Sequence, residues 1–541
     1  MKKIRYILST TLLLSFAIMV IVSCKDDSNE ELALSRQFKP SVIKTTNGET
    51  AVGIEWSPSL FTTSGEVDYV IEVSADAASF SPVAFTATTK VAAVVITDEK
   101  LTIKQNYYAR VKAVGADGVE DSRWTVSDVF RILGEQFLLP VTSENTIDKS
   151  VRLTWKANPE LTKIVITPTG GTAVEINLTD ADKAATLKQI DNLTAGTTYT
   201  AEIFAGAKSK GTQVFTTKFA TVGNVIDLRG ISVALKPNIL IDTLPDIASG
   251  SIVLLKRGSR YNVTSVYNFD KSVTIQSGLD FGTDLATIGL SSNFNLVANS
   301  TIDSLVFKDL VIKGVRASLG SYSADYIFNA SAVSTIGKIR LEGCTIKILR
   351  GLVRLQTGTT GTKVTNYLIN NCVIDSVREY GVVSVAAGSN AIANIKISNS
   401  TVSRARRFIV HSVAGNSSLA IENCTFNELP AGALVAANYF IDYGSANTSS
   451  MTMKNSIIGK VWDETATGTA VFGLRTGSST TLSVTNTYST SDFVNNNSPV
   501  PGISAYSGTA ASLFTDPNND NFKIKDANFI GKSSAGDPRW R

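Results

Sequence analysis

The sequence predicts an all-β protein in which two small antiparallel sandwiches are followed by a right-handed parallel β-helix. Between residues 38 and 222, apolar and polar residues alternate with period two, and turn-forming residues interrupt the alternation. From residue 223 onward, short β-branched runs recur in a repeat of variable length without intervening helical segments. The length of 541 residues also exceeds what a single hydrophobic core supports, so several domains are expected.

The N-terminal segment has the layout of an export signal. Three cations precede an apolar run, residues 7–22, and a small residue precedes Cys24. This layout resembles a bacterial lipoprotein signal, which implies removal of residues 1–23 and lipidation of Cys24. An uncleaved membrane anchor is the alternative, although the run is short for a membrane span.

The residues that follow Cys24 suggest a location. Lys25, Asp26 and Asp27 resemble the acidic tag of Bacteroidetes-type lipoproteins that reach the outer leaflet of the outer membrane. The resemblance implies a lipid-anchored protein of the cell surface, held by outer-membrane lipid through Cys24. Residues 24–37 would then form a linker.

Two segments, residues 38–134 and 135–222, each have the length of a small β-sandwich. The first has Trp56 on an early strand and Tyr108 within the late strand YYARVKAV, and the second has Trp155 and Tyr199 in corresponding places. Both segments resemble fibronectin type III domains. We expect these aromatic residues to lie in the cores and the two domains to act as spacers.

Residues 223–541 contain a repeat of strand, corner and strand. The opening segments, residues 244–263 and 270–278, resemble the first coils of pectate-lyase-like parallel β-helices. Six copies and a weaker seventh follow, and the residue just after each corner, which we call the anchor, falls at Leu310, Cys344, Cys372, Ser400, Cys424, Ser456 and Thr487. The first six anchors are 34, 28, 28, 24 and 32 residues apart. Such a variable step is typical of a solenoid whose loops differ in length.

A further short apolar strand lies between successive copies, so each coil holds at least two strands. Equivalent strands of neighbouring coils would pair in parallel about 4.8 Å apart, and the chirality of crossover connections makes the winding right-handed. The closing stretch, which ends in GDPRW, resembles the C-terminal coil of this class. The whole arrangement resembles outer-surface proteins of Bacteroidetes polysaccharide-utilisation systems.

The anchor positions accept only compact residues, which indicates an inward-facing column at a corner. Cysteine suits such a column because a buried thiol behaves as a small hydrophobic group. Cys344 and Cys372 lie on consecutive coils and could approach disulfide distance, but we favour three unpaired thiols, with Cys424 as the third. Polar residues flank the corner, which predicts a polar stack there, at Asp309, Glu342, Glu422, Asn371, Asn399 and Asn423.

Arginines recur six residues after four consecutive anchors, at Arg316, Arg350, Arg378 and Arg406. Like charges on neighbouring strands repel each other, so a column of four arginines needs an anion. Residues 308–410 contain 14 basic and 5 acidic residues, whereas the whole chain has a net charge of only +4. This overall balance argues against a nucleic-acid partner and places any basic site locally.

Two interpretations of the arginine series remain open. The arginines could donate to loop carbonyls and pair with Glu379 or Asp375. Alternatively, they form an anion-binding edge for carboxylates or sulfates, which planar guanidinium groups suit. The second interpretation adds three neighbours to the four arginines as candidate ligand-binding residues: Arg404, Arg407 and Tyr380.

The sequence assigns no catalytic residue. Glycoside hydrolysis needs facing carboxylates, and calcium-dependent lyases need several aspartates, but the acids of the repeat form no such set. The only histidine, His411, is expected to be structural, and Asp442 is a weaker candidate. Without a C-x-x-C pair or a second histidine, a zinc site is improbable, and we expect no metal and no cofactor.

Three functions are therefore compatible with the sequence. The first is a cell-surface glycan-binding lipoprotein whose β-helix captures a uronic-acid or sulfated polysaccharide, with polysaccharide-uptake proteins as possible partners. The second is a polysaccharide lyase or hydrolase that acts on pectin-like glycans, and the third is a structural or adhesin-like surface protein. The fold alone does not decide among them.

Overall fold

A computed structural model describes residues 35–62, 65–315, 325–356, 361–385, 388–413, 415–432, 438–444, 447–463 and 471–541. The predicted export signal with Cys24, and Arg316 of the arginine series, lie outside these residues. Within them, no helix combines the length and apolar character that crossing a membrane requires. The chain divides into two compact units, of which the first comprises residues up to 142 with 150–192 and 197–217, and the second comprises 143–149, 193–196 and 218–541.

The first sandwich has seven strands. They are β1 (Ile43–Asn47), β2 (Ala51–Trp56), β3 (Tyr69–Ser74), β4 (Val83–Thr89), β5 (Ala93–Thr97), β6 (Tyr108–Ala113) and β7 (Thr125–Val126). Sheets β1-β2-β5 and β4-β3-β6-β7 are antiparallel, which is the three-on-four arrangement of fibronectin type III domains. Trp56 is buried as expected, but the buried tyrosine of the late strand is Tyr107, whose hydroxyl accepts a hydrogen bond from the Thr102 N–H at 3.1 Å.

The second sandwich repeats this plan. Its elements are β8 (Val151–Thr154), β9 (Lys163–Pro168), β10 (Val174–Asn177), α1 (Asp180–Ala185), β11 (Leu187–Ile190), β12 (Thr198–Ala205) and β13 (Lys208–Thr216). The strands form the antiparallel sheets β10-β9-β12-β13 and β11-β8. Trp155 and Tyr199 are both buried, as the sequence predicts. A short 3₁₀ helix, Ser143–Asn145, precedes β8.

The rest of the chain forms a parallel β-solenoid. Its strands are β14 (Val225–Asp227), β15 (Ser251–Leu255), β16 (Arg260–Val263), β17 (Tyr267–Phe269), β18 (Val273–Ser277), β19 (Ala286–Leu290), β20 (Phe294–Leu296), β21 (Thr301–Lys308), β22 (Leu310–Gly314), β23 (Tyr326–Ala330), β24 (Thr335–Glu342), β25 (Thr345–Leu355), β26 (Lys363–Asn370), β27 (Val373–Val385), β28 (Ala391–Ser398), β29 (Thr401–Ala405), β30 (Ile409–His411), β31 (Gly415–Glu422), β32 (Thr425–Asn427), β33 (Tyr439–Asp442), β34 (Asn447–Lys454), β35 (Ile457–Ile458), β36 (Val471–Arg475), β37 (Thr481–Thr485), β38 (Tyr488–Ser489), β39 (Asn495–Asn497) and β40 (Ser504–Ala505). The predicted all-β fold of sandwiches followed by a parallel β-helix is confirmed.

Ten of these strands pair in parallel as one continuous sheet, in the order β14-β15-β18-β21-β24-β26-β28-β31-β34-β37. We call it the first sheet, and the remaining solenoid strands form the second sheet. Helix α2 (Ile239–Thr243) and a 3₁₀ helix, Leu244–Asp246, precede β15 and bury Leu240 and Leu244 against the core. Both short helices therefore pack against the solenoid core.

The seven anchors form one buried column, as predicted. Each lies just after a strand of the first sheet, and each is at most 1 % exposed. The residue before each anchor has a positive φ between 44° and 61°, which turns the chain from the first sheet into the second; these residues are Asp309, Gly343, Asn371, Asn399, Asn423, Asn455 and Asn486. Asparagine and glycine adopt this conformation more readily than most residues do.

Asparagine side chains connect successive corners in a ladder. Asn423 donates to Asn399 Oδ1 at 3.0 Å, Asn455 donates to Asn423 Oδ1 at 3.2 Å, and Asn486 donates to Asn455 Oδ1 at 2.8 Å. Asn399 continues the ladder by donating to Asn370 Oδ1 at 2.9 Å. Asn399 and Asn423 of the predicted polar stack therefore belong to a hydrogen-bonded column, and Asn370, Asn455 and Asn486 are its other members.

The C-terminal segment, residues 510–541, covers part of the second sheet. It contains α3 (Ala510–Leu513), β41 (Phe514–Asp516) and β42 (Asn521–Ile524), with 3₁₀ helices at Pro517–Asn519 and Pro538–Trp540. Apolar side chains of this segment form a small core of their own with Ile457 of the solenoid. The segment is thus a strap across the second sheet.

The terminal GDPRW motif fastens this strap. The buried Asp537 carboxylate accepts a hydrogen bond from Thr401 Oγ1 at 2.8 Å, and Trp540 Nε1 donates to the same hydroxyl at 2.7 Å. Arg539 donates to Asn371 Oδ1 at 2.6 Å, and Arg541 donates to Asn423 Oδ1 at 3.0 Å. The motif therefore ties the end of the chain to the corner column.

We expect Asn423→Ala to lower the free energy of unfolding by about 2 kcal/mol, because Asn455 and Arg541 lose their acceptor and Asn399 loses a donor. Chemical denaturation followed by far-ultraviolet circular dichroism measures the loss. Asn423→Gly is the matched control, since glycine tolerates the positive φ and leaves only the hydrogen-bond loss. An alanine variant as stable as the wild type would contradict a stabilising role for the ladder.

The three solenoid thiols, Cys344, Cys372 and Cys424, are free and buried. In a chain that carries Cys24→Ser, we therefore expect these three thiols to react with a thiol reagent only when the solenoid unfolds. Colorimetric thiol titration should give three thiols in denaturant and almost none in the native protein. Two thiols fewer in unreduced, denatured protein would reveal a disulfide between Cys344 and Cys372.

Candidate anion-binding site

The arginine series recurs on successive coils. Leu349 pairs with Val377, and Val377 pairs with Ala405, and one arginine directly follows each of these paired residues; the pairing of the first two coils then shifts register between Leu349 and Gly351. These arginines are Arg350, Arg378 and Arg406, and all three are half-buried. The Arg406 N–H donates to the Val377 carbonyl at 2.9 Å, which extends the parallel pairing to the arginine itself. We call these three residues the arginine row.

A repeated bend places the arginine row at an edge of the solenoid. The residue two positions before each arginine has a positive φ, at Ile348 (60°), Ser376 (59°) and Arg404 (49°). Glu428 continues this column with a φ of 57°, and Pro430 follows it in place of arginine. A non-glycine residue with positive φ is uncommon, so its recurrence at one position is a defined feature of the coil.

Arg350 makes the best-defined contacts of the row. Its Nε lies 2.5 Å from Glu379 Oε1, and its guanidinium carbon lies 5.0 Å from the centre of the Tyr380 ring. Burial opposes ionisation of Glu379, but its own backbone N–H and the guanidinium groups of Arg350 and Arg378 outweigh burial and lower the pKa of the carboxyl. Glu379 is therefore a carboxylate within the field of two arginines of the row.

A second arginine, which sequence reasoning missed, lies beside Arg350. The guanidinium carbon of Arg354 lies 4.0 Å from the Tyr380 ring centre and 5.7 Å from that of Tyr326. The two tyrosine rings are themselves 5.4 Å apart. We call Tyr326, Arg350, Arg354 and Tyr380 the tyrosine–arginine cluster. The available signal was the polar position of Arg354 within the apolar strand LVRLQ.

The other candidate residues lie in different surroundings. Arg404 Nη2 lies 2.6 Å from Asp375 and 2.5 Å from Asp520, and Arg404 Nη1 lies 3.7 Å from Glu428, so three carboxylates surround this guanidinium. Burial raises the pKa of Asp375 even though Arg404 counteracts it. Arg404 therefore fits the first of the two interpretations, in which the arginines pair with acids of the protein itself. Arg407 is half-buried beside the row.

The two aromatic residues that follow the row have different places. Tyr380 is half-buried and belongs to the tyrosine–arginine cluster. Phe408 is fully buried and contacts Phe426 and Phe440 in the core, with ring centres 4.9 and 5.1 Å away. Of these two aromatic residues, only Tyr380 therefore has its ring near the surface, where a ligand can contact it.

Neither residue considered for catalysis is poised for it. His411 is buried, its Nε2 accepts a hydrogen bond from the Ile392 N–H at 3.0 Å, and its ring stacks on Tyr443. Asp442 forms a two-pronged ion pair with Arg475, with distances of 2.7 and 2.6 Å. Among the residues that the structure describes, no three His, Cys, Asp or Glu side chains are grouped as metal ligands would be.

Family models match two parts of the solenoid. "Domain of unknown function (DUF4957)" matches residues 259–405, and "Domain of unknown function (DUF5123)" matches residues 419–540. Each match covers less than half of the chain, and neither description names an activity. No curated protein matches this chain.

Two solved structures are similar to part of the chain. A two-domain fibronectin type III segment of chicken tenascin is 14 % identical, with coverage of 33 % of this chain and 99 % of that chain and a TM-score of 0.18. The FN1–FN3 domains of chicken CNTN1 are 13 % identical, with coverage of 34 % and 66 % and a TM-score of 0.16. The fold described above rests on strand pairing and not on these similarities.

The buried His411 predicts a pH dependence of stability. Burial lowers the pKa of this imidazole below the value of about 6.5 for an unfolded chain. The unfolded chain therefore binds a proton more readily, and stability falls as the pH decreases below about 6.5 until the folded pKa is reached. His411→Gln cannot titrate in this range and should lose less stability.

The measurement compares thermal midpoints of wild type and His411→Gln at pH 7.5, 6.5 and 5.5. Because His411 is the only histidine, the difference in slope between the two proteins isolates its titration from that of the carboxyl groups. Parallel slopes for the two proteins would show that the imidazole is not held neutral.

Proposed function

We propose that this protein binds an acidic polysaccharide, with uronic-acid carboxylates or sulfates of the glycan lying along the arginine row of the β-solenoid. The observation that supports the proposal is the strand pairing, in which Arg350, Arg378 and Arg406 each directly follow a paired residue on three consecutive coils. A polysaccharide also presents its charges at regular intervals. A repeating row of cations and a repeating row of anions are therefore complementary.

The charge balance around the row supports an external anion. Residues 308–410 contain 14 basic residues and only 5 acidic ones. Three of these acids are already engaged, since Glu379 pairs with Arg350, Asp375 with Arg404, and Glu342 with Arg340. Strands of neighbouring coils lie about 4.8 Å apart, and like charges at this spacing destabilise each other. A bound polyanion would relieve this repulsion.

Guanidinium chemistry suits the proposed ligand. A guanidinium group is planar, stays charged at all physiological pH values, and donates two parallel hydrogen bonds to a carboxylate or sulfate. Half-buried arginines lose less rotamer freedom on binding than fully exposed ones, because the coil already restricts their stems. The arginine row is therefore better suited to directional recognition than the lysines of the same region would be.

The proposal includes the cellular context that the N-terminus suggests. An apolar run followed by Cys24 and an acidic tag supports a lipoprotein of the Bacteroidetes type, anchored at the outer surface of the outer membrane. The resemblance of the first coils to pectate-lyase-like β-helices supports a carbohydrate ligand. On this proposal the two sandwiches act as spacers between the lipid and the solenoid.

The test is affinity electrophoresis of the full chain in gels that contain polygalacturonate, a sulfated glycan or a neutral glucan. We expect the acidic gels to retard the wild type, and the variant Arg350→Gln, Arg378→Gln, Arg406→Gln to lose most of that retardation. The neutral glucan should retard neither protein. Far-ultraviolet circular dichroism and thermal unfolding verify that the variant is folded.

A matched control removes the same charge from another face. Lys338, Lys396 and Lys454 lie on strands of the first sheet, and replacing all three with glutamine also lowers the net charge by three. This control variant should keep its retardation if the arginine row carries binding. If both variants lost the same share of their retardation, net charge alone would explain binding. If the triple arginine variant were retarded as strongly as the wild type, the arginine row would be excluded as the binding site.

A further inference from the structure

Arg354 lies on β25, the strand that also holds Arg350, and its two chain neighbours are buried. Its parallel partners are the half-buried Asn329 on the preceding coil and the buried Ser384 on the next. The flanking residues Val353 and Leu355 point into the core. The strand register therefore fixes the backbone of Arg354 and leaves its half-buried side chain at the surface.

Two tyrosines hold the guanidinium group of Arg354. The Tyr380 ring centre lies 4.0 Å from the guanidinium carbon, and Arg354 Nη1 donates to Tyr326 Oη at 3.4 Å. Burial raises the pKa of Tyr326 to about 12, so its hydroxyl stays neutral at physiological pH. The negatively charged face of an aromatic ring attracts a cation that lies over it. The stem of Arg354 is therefore ordered before any ligand arrives.

Stacking on a ring leaves the hydrogen-bonding edge of a guanidinium group available. The five N–H groups donate in the plane of the guanidinium group, and in Arg354 one of them, on Nη1, donates to Tyr326. Arg350 uses part of its edge on Glu379. By contrast, no carboxylate of the described residues lies within 4.0 Å of Arg354. Arg354 is thus an oriented guanidinium group whose charge no described acid neutralises.

We propose that Arg354 clasps one oxyanion of a bound acidic sugar with two parallel hydrogen bonds, while Tyr380 and Tyr326 hold its guanidinium group in place. This inference rests on the proposed function and adds a specific subsite beside the arginine row. The ligand group is a carboxylate of a uronic acid or a sulfate ester, since both accept two parallel hydrogen bonds. The arginine row then attracts the glycan along its length, and Arg354 fixes the position of one of its charged groups.

The test compares substitutions that separate charge from geometry. Arg354→Lys keeps the charge but loses the fork and the flat face, so we expect at least a tenfold weaker retention of the full chain by polygalacturonate or by a sulfated glycan. The glycan for which retention is lost identifies the oxyanion. Tyr380→Phe keeps the ring and should bind like the wild type, whereas Tyr380→Leu should weaken retention several-fold.

Arg340→Lys is the matched control, because Arg340 lies on a strand of the first sheet and pairs with Glu342 there. It should leave retention unchanged, and thermal unfolding confirms that each variant is folded. If Arg354→Lys binds both glycans like the wild type while the triple arginine variant does not, the subsite is excluded and the proposed function stands. If the wild type binds neither glycan, the proposed function fails and the subsite fails with it.

Discussion

Parallel pairing at a constant register is the constraint on which the solenoid depends. The last seven strands of the first sheet each lead into the second sheet through one residue with positive φ, and the residue after it is buried. Because the corner repeats, residues at the same distance from it recur side by side as far as Leu349, Val377 and Ala405. The asparagine ladder at the corner and the arginine row six residues after each anchor are two consequences of this single rule, and both are half-buried.

Those parts of the molecule that depend only on distance from the corner could be predicted from the sequence. The anchors at Cys344, Cys372 and Cys424, the polar corner and the alignment of Arg350, Arg378 and Arg406 follow from counting residues within one coil. Period-two alternation likewise predicted the sandwiches. It led us to expect Tyr108 in the core, whereas the adjacent Tyr107 is the buried tyrosine, since one-residue shifts of a strand preserve its periodicity while exchanging its faces.

Contacts between distant parts of the chain could not be predicted in this way. Asp520, which approaches Arg404, lies 116 residues further along the sequence, and only the strap brings the two together. Tyr326, Arg354 and Tyr380 lie on three different coils that are joined by loops of unequal length. The sequence therefore indicated where positive charge accumulates, but the structure was needed to distinguish an arginine enclosed by acids from one that is ordered by aromatic rings.

The strap has a consequence for the order in which the protein matures during synthesis. Asp537, Arg539 and Arg541 contact Thr401, Asn371 and Asn423, which leave the ribosome more than a hundred residues earlier. Coils can stack on one another as they emerge, because each contacts mainly its neighbours. Their outer face is covered only once residues 510–541 have been synthesised. A chain that lacks its last five residues would therefore expose hydroxyl and amide groups on coils whose own sequence is intact.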